Sequence, residues 1–431
     1  MKSIWSDAVE QPQFPSLEGT LKTDVLIIGG GMCGILCAYM LKNKGVDCVV
    51  AEADKICCGI TKYTTAKITY QHGLIYDKII KKYGLEKARL YLESQKDALE
   101  KYQKLCNVID CDFTECDSYV YSLDDRAKIE REVRALNKLG CDAEFSDKTE
   151  LPFSVSGGAV KVKNQAQFHP LKFAYKVAEE LPIYENTKIL ELRPDGAITN
   201  HGKIIAEKII VATHFPFINK HGGYFLKMYQ HRSYVLALKD ASTVRNMYVD
   251  ESKTGLSFRS YGELLILGGG SHRTGKNGGN WDELIRVSNT YYPDSQEINR
   301  WATQDCMTLD GIPYIGQYSK NTPNLYVATG FNKWGMTSSM TSAMILCDMV
   351  LEKENKYADV FSPSRSILHP QLAINTLESL LGLLTPTVPR CPHMGCALRY
   401  NKQEHSWDCP CHGSRFTEDG ELINNPATDD K

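Results

Sequence analysis

Thr23-Asp-Val-Leu-Ile-Ile-Gly29-Gly30-Gly31-Met32-Cys33-Gly34 is the stretch that decides the fold. Its apolar run reads as a buried strand, the glycines as a tight turn, and the residues through about Lys44 as a helix, followed by a second strand, Asp47–Ala51. That order is a βαβ unit. Each part of the G-x-G-x-x-G turn has a mechanical reason. Gly29 allows the sharp bend, Gly31 lets backbone N–H groups approach a pyrophosphate, and Gly34 lets the helix lie close to the strand. The phosphates would then sit on the positive end of the helix. Glu52, closing the second strand, would accept hydrogen bonds from ribose hydroxyls. The motif leaves FAD and NAD equally open. Gly268-Gly269-Gly270 lacks the third glycine of a second such turn and reads as a strand end and turn.

The chain around this unit has 431 residues, a formal charge of −2 and no long run of like charges, so neither nucleic acid nor an anionic membrane is an expected partner. Val25–Leu41 is long and apolar, but its glycine spacing fits the nucleotide turn better than a membrane span. No leader pattern is visible at the N-terminus, which predicts a cytoplasmic protein. Most of the 15 cysteines sit singly in apolar runs, where a free thiol behaves as a small hydrophobe.

The periodicities predict nucleotide-binding parts at about 20–84, 150–220 and 300–355, with a substrate-side α+β insertion at about 85–149 and 221–299. Residues 1–361 would form one oxidoreductase body. A linker with one helix, about Leu372–Leu383, would span 362–388, and 389–431 would form a Cys-, Gly- and Pro-rich lobe too small to bury a full core.

Further motifs extend the first one. After Glu52 comes Gly59-Ile-Thr-Lys-Tyr-Thr-Thr-Ala-Lys67; a later strand ends Val211-Ala-Thr213; and Asn324-Leu-Tyr-Val-Ala-Thr-Gly-Phe331 precedes Asn332-Lys-Trp-Gly-Met-Thr337 and a helix. With these segments the chain resembles the D-amino-acid-oxidase-like FAD-dependent oxidoreductases from about Thr23 to Val350. The resemblance implies an α/β fold with a Rossmann-like FAD-binding domain, and places Thr65, Gly330 and Trp334 near the flavin. It also implies removal of a hydride from a carbon beside an amine nitrogen, with a small amine or amino acid as substrate. His214 stands where related chains often carry glycine. A carboxylate-bearing substrate would want a forked guanidinium, for which Arg232 and Arg259 are candidates. His72, His169 and His231 are possible acid/base groups, and none is singled out as catalytic.

Cys391-Pro-His393 and Cys409-Pro-Cys-His412 form C-x-H-x15-C-x2-H, two chelating loops separated by room for a hairpin. Two thiolates and two imidazoles suit either a structural zinc ion or a [2Fe–2S] cluster with histidines on one iron. The longer segments Cys391-Pro-His-Met-Gly-Cys396 and Cys409-Pro-Cys-His-Gly-Ser-Arg-Phe416 resemble the two boxes of Rieske proteins. That resemblance implies a [2Fe–2S] cluster on Cys391, His393, Cys409 and His412, a disulfide between Cys396 and Cys411, and a covering loop at Asn425-Pro426-Ala427. It further implies that Ser414 donates to the cluster. Phe416 stands where high-potential members carry tyrosine, which predicts a tempered potential.

Together the two resemblances are to flavoproteins with a C-terminal Rieske lobe, similar to gamma-glutamylputrescine oxidoreductase-like enzymes. The expectation is an amine or amino-acid oxidoreductase that passes electrons singly to the cluster and on to an acceptor the sequence does not name. The alternative is a redox-sensing or electron-transfer protein without substrate turnover. A Rieske oxygenase ranks last, since no helical pair of histidines with a nearby acid stands out.

Overall fold

A computed structural model describes residues 2–218, 221–252, 255–386 and 389–431. The strand Gly19–Ile28 pairs in parallel with Gly202–Val211 on one side and Cys48–Ala51 on the other. Leu325–Thr329 and Ile183–Tyr184 extend the parallel sheet outward, and Tyr314–Gln317 closes one edge antiparallel. Val25–Ile28 is buried on both faces, as a parallel strand covered by layers on each side should be. The helices Met32–Lys42 and Gly335–Val350 pack against each other. The carboxyl ends of four of the parallel strands lead to Ile28, Ala51, Ala212 and Ala328, which line one large cavity. This is where open α/β sheets take their ligands.

A second sheet runs in the order Gln296–Thr308, Met228–Lys239, Leu264–Arg273, Ser257–Tyr261, Met247–Asp250, Thr114–Tyr121, Ala159–Gln167, Lys67–Ile68. Sheet membership thus divides the chain differently from the periodicities. Ala159–Gln167, expected in the nucleotide-binding part, and Gln296–Thr308, straddling an expected boundary at 300, both pair in this second sheet. Strand patterns alone do not say which sheet a strand joins. The helix Tyr76–Cys106, most of it expected on the substrate side, packs against Gly335–Val350 through a stripe that includes Tyr91, Leu92, Ala98, Leu99 and Tyr102. Gly268–Gly270 is no strand end: pairing continues to Arg273 across a bulge opposite Arg232 and Tyr234. Gly270 there is left-handed, and a side chain on it would collide with the Asn280 backbone.

Residues 399–424 form a small antiparallel meander of Arg399–Asn401, Ser406–Asp408, Arg415–Thr417 and Leu422–Asn424. Its core is little more than Cys391, Cys396, Leu398, Cys409, Cys411, Phe416 and Ala427. The linker helix spans Pro370–Leu384. It turns Asn375 and Gly382 inward and leaves Leu377, Leu380, Leu381 and Leu384 exposed, so its contact with the lobe is a small-residue one. A side chain on Gly382 would strike the sulfur of Cys411 at 2.5 Å.

Candidate functional site

The cavity encloses about 760 Å³ and runs from the glycine turn to the second sheet. Gly29, Gly31, Glu52, Thr65 and Trp334 line it; Gly34 and Gly330 do not and shape backbone instead. A side chain on Gly34 would lie 1.9 Å from the Gly29 carbonyl, which is the close helix–strand approach the motif demands. A side chain on Gly31 would meet only the Thr61 hydroxyl, at 3.4 Å, so the turn keeps an open cradle in front of the helix. Gly330 adopts φ 72°, and a side chain there would hit Thr308. Glu52 accepts from the N–H of Gly30 at 2.6 Å and of Asp54 at 3.0 Å, and burial raises its pKa. The shape, the open cradle and the acid at the strand end fit an FAD.

At the far side of the same cavity stand the residues of the C-terminal lobe. Leu422–Asn425, Ala427 and Thr428 line it, so the covering loop expected over a cluster is also part of the flavin-side wall. The four expected ligands converge. The rings of His393 and His412 are 5.0 Å apart and edge-on, and the thiols of Cys391 and Cys409 are close enough to shift each other's pKa, up for Cys391 and down for Cys409. Burial holds His393 neutral, with its pKa near 4, and does the same to His412, at about 3. Both ring nitrogens of His412 are buried without a hydrogen-bond partner among the described residues, which is costly unless something ligates them. Two thiols and two neutral imidazoles fit a Rieske-type cluster. The Ser414 hydroxyl accepts from the N–H of Ala427 at 3.0 Å. Cys396 and Cys411, expected to pair, are both free thiols here; with Cys409 their sulfurs lie within 4.8 Å of one another.

The family model for FAD dependent oxidoreductases matches residues 24–349, and that for the Rieske [2Fe-2S] domain matches 374–430. This chain belongs to the FAD dependent oxidoreductase family. It is 36% identical, over 99% of its own length and 96% of the other's, to YhfW of Bacillus subtilis (strain 168), described as a Rieske 2Fe-2S iron-sulfur protein. It is 22% identical to gamma-glutamylputrescine oxidoreductase of Escherichia coli (strain K12), over 78% of this chain and 85% of that one. Among solved structures, glycine oxidase from Geobacillus kaustophilus superposes with a TM-score of 0.68 at 19% identity, covering 80% of this chain and 99% of that one, a likeness of fold.

Within this flavoprotein the charged residues are placed otherwise than the sequence suggests. Neither candidate arginine lines the cavity. Arg232 is buried and forks onto Glu404 of the lobe, while Arg259 is buried over Trp5 and donates to the carbonyls of Thr65 and Ala66. The lysines that do line the cavity, among the described residues, are Lys67, Lys188 and Lys333. Lys67 contacts the hydroxyls of Thr65 at 3.1 Å and Ser257 at 3.5 Å, and burial followed by the nearby Arg259 charge brings its pKa down to about 7. Lys333 follows Asn332, and both residues are left-handed; its ammonium reaches Ser271 at 3.1 Å. Such backbone outliers beside a cavity are a usual mark of a functional loop. Asp305 lines the same region, and burial raises its pKa to about 6 against the pull of Lys333.

The histidines divide as well. His72 stacks on Trp334 at 5.1 Å and is held by Tyr91, Thr69 and Thr337, a structural role. His169 caps the helix Pro170–Ala178. His231 and His214 line the cavity. Lys67 and Lys333 lay inside the segments Gly59–Lys67 and Asn332–Thr337 that carry the family resemblance, but nothing there set them apart as site residues. Nothing marked Glu404.

Proposed function

We propose that this chain oxidises an amine or amino acid at the flavin end of the cavity and passes the electrons one at a time to a cluster held by Cys391, His393, Cys409 and His412. The observation that carries this reading is the shared wall: one cavity is lined both by the glycine turn and by the lobe loop that covers the cluster site. FAD, when bound, supplies hydride acceptance; Gly29, Gly31 and Glu52 would hold its nucleotide half, and Thr65 and Trp334 would flank the ring, with Gly34 and Gly330 setting the backbone. The protein's own share is to position a neutral amine and take its proton. Lys67, cavity-lining and neutral above about pH 7, is the base we assign to that step. With Arg232 and Arg259 engaged elsewhere, a substrate carboxylate would meet Lys333. No helix among the described residues is long and apolar enough to cross a membrane. We place the protein in the cytoplasm, where single buried thiols such as Cys33, Cys37, Cys48 and Cys347 stay reduced.

Anaerobic addition of candidate amines and amino acids to the purified protein tests the reading. The expected result is bleaching of the flavin band followed by the EPR signal of a reduced Rieske cluster. Flavin reduction with no cluster reduction would remove the relay and leave an ordinary flavin oxidase.

A further inference from the structure

Two adjacent strands, Met228–Lys239 and Gln296–Thr308, form one wall of the cavity and carry the loop of residues 410–413 behind them, and their alternation sorts side chains to opposite sides. Tyr229, His231 and Ser233 face the cavity from the first strand, and Thr303, Asp305 and Met307 from the second. The register sets Tyr229 opposite Met307 and His231 opposite Asp305. The residues between them, Gln230, Arg232 and Gln304, are buried on the other side and bond to the lobe.

Their targets form a pattern. Arg273 donates to the carbonyls of Pro410 and Cys411, both at 3.0 Å. Gln230 donates to that of His412 at 3.0 Å, and Gln304 to that of Gly413 at 2.8 Å. Every carbonyl from 410 to 413, the loop that carries His412, therefore receives a side-chain donor from the flavin-side sheet. Gln230 also donates to the Asn425 carbonyl at 2.8 Å, and Gln304 to the Gln230 side-chain oxygen at 2.6 Å, so the two glutamines lock each other's orientation. Contact is tight. A side chain on Gly413 would lie 2.5 Å from Gln230, and one on Gly275 would lie 2.7 Å from the Pro410 nitrogen.

We infer that Gln230, Gln304 and Arg273 are positioning residues that clamp the second ligand loop to this wall and to the neighbouring strand Leu264–Arg273, so that electrons cross it by a fixed route with no swing of the lobe. The inference rests on the relay proposed above. Each crossing moves one electron onto the oxidised cluster, reducing one of its two ferric ions. A flavin holding two electrons is emptied by two crossings, the cluster giving up the first electron to a one-electron acceptor before the second arrives. Side chains on opposite faces of a single sheet are separated by only about 10 Å, the scale of one packed layer.

The test uses the holoprotein and two readouts. In the first, the flavin is photoreduced anaerobically and the cluster is followed by EPR, with ferricyanide as the one-electron acceptor for turnover. Transfer in the native protein should be independent of added glycerol, and the Gln230→Leu/Gln304→Leu double variant should slow it at least tenfold with flavin and iron contents unchanged. Unchanged transfer in that variant, or glycerol-dependent transfer in the native protein, would overturn the clamp. The second readout is the distance between a flavin radical and the dithionite-reduced cluster by pulsed EPR. A single narrow distance in the native protein is expected; a broad distribution refutes the clamp whatever the electrons do. A narrow distance with no cluster reduction leaves the clamp standing and refutes the relay. If the double variant loses its cluster, the native distance and glycerol measurements still decide.

Discussion

Phe416 is fully buried in the lobe core with Cys391, Cys396, Cys409 and Cys411, and the Rieske resemblance puts it at the position where a tyrosine hydroxyl would stabilise the more negative, reduced cluster. Phe416→Tyr should raise the midpoint potential by about 40 mV, the equivalent of one net hydrogen bond of about 1 kcal/mol at 59 mV per tenfold. A redox titration followed by EPR reads the shift, and a native value near the top of the range for respiratory Rieske centres would contradict the tempered potential expected from this residue. Gly34 makes a sharper demand, because even a methyl group would lie 1.9 Å from the Gly29 carbonyl. Gly34→Ala should yield protein with less than about a tenth of the native FAD content, in line with the steric strain of overpacking, measured by the flavin released on denaturation. Lys67 carries a pH signature. Burial, then Arg259, lowers its pKa to about 7, so the base form grows as pH rises through that value. The kcat/KM for the amine should rise with pH up to about 7 and then level, and Lys67→Met should abolish that inflection.

Between elements, the strand Met228–Lys239 and the lobe are joined by an ion-pair network that excludes water. Glu404 accepts from Arg232 and from Arg415, and Arg415 also donates to Asp408 at 2.8 Å; all these side chains are at most 5% exposed. Burial alone would push the Glu404 carboxyl up, but Arg232 and then Arg415 outweigh it and hold the pKa at about 2. Because that lies below the ordinary glutamate range, the docking stability it contributes is complete above about pH 4.5 and disappears as pH falls toward 2. Glu404→Gln should cost about 3–5 kcal/mol, since it strands the buried Arg232 guanidinium without its counter-charge and leaves Arg415 with Asp408 alone. The double change Arg232→Met/Glu404→Leu should cost less than Glu404→Gln, because it removes charge from both sides of the pair. Thermal unfolding followed by visible circular dichroism of the cluster distinguishes the two.

At the scale of the molecule, the lobe has only a small core of its own and leans on the flavoprotein body. Residues 389–431 expressed alone should show no Rieske EPR signal after iron–sulfur reconstitution, whereas the whole chain should, because the carbonyls of its second ligand loop find their donors on the larger domain. The cavity likewise belongs to the assembled chain, closed on one side by Asn425, Ala427 and Thr428. The sequence alone determined the parts whose chemistry is local. A glycine turn must follow a strand and precede a helix, and a Cys-x-His and a Cys-x-x-His loop must offer their ligands within a few residues, so Gly29–Gly34, Glu52 and Cys391–His412 were legible as candidate sites. What only the tertiary structure decided is contact across distant segments. Arg232 and Arg259 read as substrate forks until burial against Glu404 and Trp5 engaged them, and Ala159–Gln167 pairs with Thr114–Tyr121 in the second sheet, a partner its own strand pattern does not specify. Gln230 and Gln304 carry no motif at all. Their role arises from strand alternation meeting a loop some 110 to 180 residues away, and no spacing along the chain encodes that meeting.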